Sequence, residues 1–143
     1  MSGVQITFAA GHELRDALLR LSDVQVNTAA RSIANYMQGE LTGHFTNQTL
    51  WDDSPMPKSK TAQAAGRATL IDMNVLNDHY ISVAEGDDVV MGNDMVYAAI
   101  HDQGGDAGRN HSVHIDPRPV LGVSPRNEAD IIDELSALVM GVI

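Results

Sequence analysis

The chain has 143 residues, 43% of them hydrophobic, which is enough for one core and too short for two. Nine Lys and Arg stand against 19 Asp and Glu, and the formal charge of −10 opposes tight binding to a phosphate backbone. There is no cysteine, which excludes disulfides and thiolate metal centres, and with 4% aromatic residues the core must be built from aliphatic side chains and 7 Met.

The opening stretch, MSGVQITFAAGHELRD, has neither a basic leader nor a long apolar run. No later window approaches the roughly 18 apolar residues of a membrane span, so a soluble, cytosol-made chain without a membrane partner is expected. Val4, Ile6 and Phe8 alternate with Gln5 and Thr7 and predict a half-buried strand. In HELRDALLRLSD, Leu14, Leu18 and Leu21 fall at helical spacing and Asp16 lies one turn before Arg20, predicting a short first helix. Val26, Ala30, Ile33, Met37, Leu41 and Phe45 predict a second, long helix from Asp23 to about residue 47, with Ser22 or Asp23 as its cap. Gly39 and Gly43 each cost that helix about 1 kcal/mol relative to Ala, so it either bends there or admits a close neighbour.

The stretch WDDSPMPKSKTAQAAGRAT, at about 51–69, has two prolines and no periodicity, and it is long for a connection inside a compact domain. Lys58, Lys60 and Arg67 make it locally basic, with no acid between Ser54 and Ile71. It reads either as a solvated loop or as a docking arm for an acidic partner surface. Trp51, at its start, either anchors a partner or seals a core edge. After a short apolar segment at residues 70–77, Tyr80 to Val83 and Val89 to Met91 flank the turn sequence EGDD and predict a β-hairpin. Ala98, Ala99 and Ile100 suit a short helical turn, Gly104, Gly105 and Gly108 a loop, and Val113–Ile115 a last strand stopped by Pro117 and Pro119. Ser124 with Pro125 then caps a final helix whose apolar face is Ile131, Leu135, Leu138 and Val139. The expected fold is α+β: one domain over residues 1–143, with two N-terminal helices, a small mainly antiparallel sheet and a C-terminal helix.

Catalytic chemistry finds little support. His101, His111 and His114, with Asp102, Asp106 and Asp116, are ligand types for a divalent metal and define an alternative reading as a small metal-dependent hydrolase. Their spacing argues against it, because a glycine-rich loop separates the histidines and cannot preset their geometry. No serine stands in a Gly-x-Ser-x-Gly or Ser-x-x-Lys setting, and GGDAG lacks the Gly-Lys-Ser/Thr ending of a phosphate loop. Glu85, Asp87 and Asp88 fall in the predicted hairpin turn, where solvated carboxylates are routine. A free binding module is a further alternative.

An ordered series spans most of residues 50–124: Trp51, then Pro57-Lys58-Ser59-Lys60-Thr61, Leu70-Ile71-Asp72, Val90-Met91-Gly92-Asn93, Tyr97-Ala98-Ala99-Ile100-His101, Gly104-Gly105, and Arg118-Pro119-Val120-Leu121-Gly122. Together with the two helices before it, this series resembles the phage virion morphogenesis family, the tail-completion or neck proteins of tailed phages and Mu-like prophages. The sequence departs from the family where His-Gln-Phe-Gly-Gly becomes His101-Asp102-Gln103-Gly104-Gly105, and where Pro-Ala-Arg-Pro-Phe becomes Asp116-Pro117-Arg118-Pro119-Val120. Met73-Asn74-Val75 replaces the usual Thr-Gly and basic residue after Leu-Ile-Asp.

The resemblance implies a non-enzymatic structural protein of the virion neck, without cofactor or catalytic residues, made in the host cytoplasm. It further implies a homo-oligomeric ring, hexameric by preference and dodecameric as the rival, that contacts connector or head-closure proteins and tail-terminator or tail-tube proteins. DNA would pass through such a ring without sequence-specific binding. Candidate interface residues are Trp51, Lys58, Lys60, Arg67, Tyr97, His101 and Arg118. Arg118, bracketed by prolines, would present its guanidinium to an acid or carbonyl either within the fold or on the next subunit.

Overall fold

The computed structural model describes residues 3–8, 23–59, 63, 64, 66, 68, 69 and 77–142. The short helix expected ahead of Asp23 and the apolar segment at 70–76 lie outside these. The described elements are β1 (Val4–Phe8), α1 (Asp23–Asn47), β2 (Tyr80–Glu85), β3 (Asp88–Asn93), α2 (Ala98–Gln103), β4 (Gly105–Ala107), β5 (Val113–Ile115) and α3 (Pro125–Val142). The chain is therefore α+β, as the periodicities predict. The second of the two expected N-terminal helices is present as α1.

A three-stranded antiparallel sheet has the order β1-β3-β2. Its register sets Ile6 and Ser82 on either side of Met91, so one face carries the buried Tyr80, Ser82, Val89 and Met91. Period-two alternation turns Ile81 and Val83 outward, where they are 50% and 41% exposed. The β2–β3 hairpin closes at the Glu85↔Asp88 pair, with Gly86 supplying the positive φ of 64° that a two-residue turn requires.

The inner sheet face meets the apolar stripe of α1, where Ala30, Ile33, Met37, Leu41 and Phe45 are buried as their spacing predicts. Burying Met37 and Leu41 contributes about 1.5–3 kcal/mol each. The rings of Phe45 and Tyr80 stack with centroids 5.3 Å apart. α1 runs through both glycines without a close neighbour: a Cβ on Gly39 would meet nothing within 4 Å, and one on Gly43 only Asn47 Nδ2 at 3.9 Å. Of the two alternatives, a bend or a close neighbour, the neighbour is not found among the described residues. The propensity cost of the glycines is instead carried by the packing of the opposite face.

Gln38, also on α1, closes the outer edge of β2. Its amide donates to Tyr80 O (3.0 Å) and accepts from Ser82 N (2.8 Å), occupying the groups a further strand would use. α3 begins with reciprocal caps: Ser124 Oγ accepts from Asn127 N (3.1 Å), and Asn127 Oδ1 accepts from Ser124 N (3.0 Å). Ile131 and Leu135 of α3 join the core and Leu138 packs at its margin. The Gly104 and Gly105 reversal brings the chain so close to Pro117 that a Cβ on Gly104, whose φ is 77°, would lie 2.8 Å from the proline ring. β4 and β5 then pair as a small hairpin. Among the described residues, no helix is long and apolar enough to cross a membrane.

Candidate functional site

Most of the residues singled out in the sequence converge where the connection after α1 meets the segment before α3. Arg118 is 5% exposed and donates from Nε to Pro57 O (2.6 Å) and from Nη1 to Asp116 O (3.1 Å), while its backbone N–H donates to His101 O (2.9 Å). Of the two settings open to it in the sequence, the described bonds are those within the fold. Trp51 lies alongside, half-buried, with its backbone N–H donating to Pro119 O (3.1 Å). Its indole leaves no space over Gly122, where a Cβ would stand 2.7 Å from the ring. The connection is also tied further along, since the Gln48 amide exchanges hydrogen bonds with Thr69 N (2.7 Å) and Thr69 O (3.1 Å). Residues 48–59 are thus laid against the body, and Lys58 stands exposed upon them. Lys60 and Arg67 fall outside the described residues.

Tyr97 and His101 sit at the start of α2 and within it, their rings edge to face at 6.1 Å. Burial and then the Arg118 guanidinium hold the His101 imidazole below the usual histidine range. Its Nδ1, Asp102 Oδ1 and Tyr80 Oη are buried without hydrogen-bond partners among the described residues. Burial pushes the Asp102 carboxyl above the usual carboxylate range, against a backbone hydrogen bond with Val120 that pulls it down. His114 stands apart on the exposed β4–β5 hairpin, with Nδ1 3.0 Å from Asp106 and Nε2 3.4 Å from Asp116. Hydrogen bonding to Asp106 raises its pKa. His101, His111 and His114 do not gather into one metal-ligand group.

A polar seam that the sequence reading missed joins α1 to α3. Ser32 donates to Glu134, Tyr36 Oη donates to Asp130 (2.6 Å), and Asn127 Nδ2 donates to Tyr36 Oη (3.1 Å). Burial and then the Asp130 bond push the Tyr36 phenol up to about 12. Arg126 bridges Glu40 (2.5 and 3.1 Å) and Asp53 (2.9 and 3.2 Å), holding both carboxyls below their usual range. His44, 3% exposed, stands one helical turn after Glu40, and burial lowers its pKa. Glu40 and His44 lie four apart on a predicted helix, which was a readable signal. Nothing local ties Asp53 or Arg126 to them.

This geometry defines a cross-braced α+β protein in which charged and amide side chains join distant segments. The chain belongs to the phage virion morphogenesis family, whose sequence pattern matches residues 10–140, and so to the structural proteins of phage virions. It is similar to the Mu-like prophage FluMu G protein 2 of Haemophilus influenzae, 30% identical over 134 residues that cover 92% of this chain and 93% of that protein. No solved structure matches it significantly.

Proposed function

We propose that the chain is a subunit of the head-to-tail junction, a neck or tail-completion ring that joins the capsid connector to the tail and lets DNA pass. The observation that carries this reading is family membership over residues 10–140, at near-full-length similarity to a Mu-like prophage protein. The charge of −10 supports it physically: six copies carry a formal −60, six times −10, and an acidic lumen repels the DNA backbone instead of retaining it. Six subunits match the symmetry of a tail, and twelve would match a connector. Tail-terminator or tail-tube proteins and head-closure proteins are the partners this position implies. Exposed Lys58 is the described candidate for contact with an acidic neighbour; Trp51, Tyr97 and Arg118 serve the ring by holding its scaffold. Electron microscopy of intact virions tests the reading by location and copy number. Density for this chain at the neck is expected, and a neck built without it refutes the proposal.

A further inference from the structure

One ligand atom each of Glu40, His44 and Asp53 lies within 4.8 Å of the others. Two of these residues are set by α1 at i and i+4, and the third by the turn that follows, where Asp53 adopts a φ of 67°. The imidazole of His44 is 3% exposed, and its Nδ1 is held by Thr49 Oγ1 at 2.9 Å. That bond fixes the ring and leaves Nε2 buried with no partner among the described residues. A buried imidazole nitrogen normally finds one. Glu40 and Asp53 each offer a carboxylate oxygen within 4.8 Å of a nitrogen of this ring, and a histidine steadied through its other nitrogen is the arrangement metal-binding imidazoles use.

The charge count agrees. Among the described residues, Glu40, Asp53 and Asp130 share one cation, Arg126, so three carboxylates against one guanidinium leave a formal excess of two negative charges. Arg126 is 49% exposed on the rim. It also has a second acceptor, since Asp130 lies 3.6 Å away one helical turn on, able to hold the guanidinium if it leaves Glu40 and Asp53.

We infer that Glu40, His44 and Asp53 form a binding site for a divalent first-row transition-metal ion, which takes the place of the Arg126 guanidinium between the two carboxylates. One nitrogen and two carboxylate donors suit Zn2+ and its neighbours better than Mg2+, which takes oxygen ligands only. The bound ion ties α1 to the turn at Asp53, a structural role that needs no catalysis.

The test is calorimetric titration of the tag-free chain with Zn2+ and separately with Mg2+, alongside thermal unfolding with each ion. One Zn2+ per chain and a rise in Tm are expected, with no comparable effect of Mg2+. His44→Gln should weaken Zn2+ binding by about tenfold or more, and Arg126→Ala should tighten it by removing the competing cation. Should His44→Gln fail to fold, Arg126→Ala and Asp53→Asn decide the matter: tighter binding in the first and weaker in the second support the site. No Zn2+ binding by either the wild type or Arg126→Ala overturns the inference. Equal binding by folded His44→Gln, or Mg2+ binding as tight as Zn2+, overturns it too.

Discussion

Replacing Arg118 by Ala tests whether the proline-braced arginine is an internal strut. The substitution removes two charge-assisted hydrogen bonds, to Pro57 O and Asp116 O, and leaves both carbonyls without that donor in a site where the arginine is 5% exposed. Hydrogen bonds to a charged group contribute about 1.5–3 kcal/mol each, so the loss should be about 3–6 kcal/mol. With an m-value of about 2 kcal/mol/M, the urea midpoint should fall by about 2 M. Arg118→Lys keeps the charge but not the planar fork, and should lose roughly half as much. Amide exchange should accelerate more at residues 50–57 than in the buried face of α1, because the strut holds that connection down. A midpoint shift under about 0.5 M, with native exchange at residues 50–57, would refute the internal role. If such a variant also failed to assemble, the guanidinium would belong to a subunit contact.

Gly39→Ala should stabilise the chain by about 0.5–1 kcal/mol, since no neighbour opposes the new methyl, and Gly122→Ala should destabilise it by about 1–3 kcal/mol by pressing on Trp51. Thermal unfolding of the two single variants reads both, and the same sign for both would contradict the packing described. Asp102 contributes one part of the pH dependence. Its carboxyl is raised in the fold, so the folded chain keeps this proton while the unfolded chain releases it; the associated stability is present at low pH and declines as pH rises through the folded pKa. Asp102→Asn escapes that loss, so its Tm should gain on the wild type as pH rises above the ordinary carboxylate value of about 4, and a constant difference would count against burial as the cause.

The fold was legible wherever a local period or cap encoded it. The α1 stripe, the alternation of β1, the EGDD turn and the Ser124-Pro125 start of α3 each depend on neighbours within a few residues. The buried role of Arg118 was half legible: two prolines signalled a fixed backbone, but its acceptor at Pro57 lies 61 positions away. The seam was less legible still, because Glu40, Asp53 and Arg126 meet only when α1 packs on α3, and an exposed-looking charge on a helix does not name its distant partner. The histidine pattern pointed to His101, His111 and His114, while the histidine whose surroundings matter is His44. Its burial follows from being one turn from Leu41 and next to Phe45 on the core face, a consequence of the same periodicity read for a different purpose.

The Gln38 amide has a meaning for assembly. A helix side chain that imitates one residue of a neighbouring strand makes the sheet one-ended: at Tyr80 and Ser82 it cannot be lengthened by a stranger's backbone. A second chain offering a strand there would find Tyr80 O and Ser82 N already bonded. Contact between copies at that edge is left to shaped side-chain surfaces, which discriminate among partners in a way that backbone pairing does not.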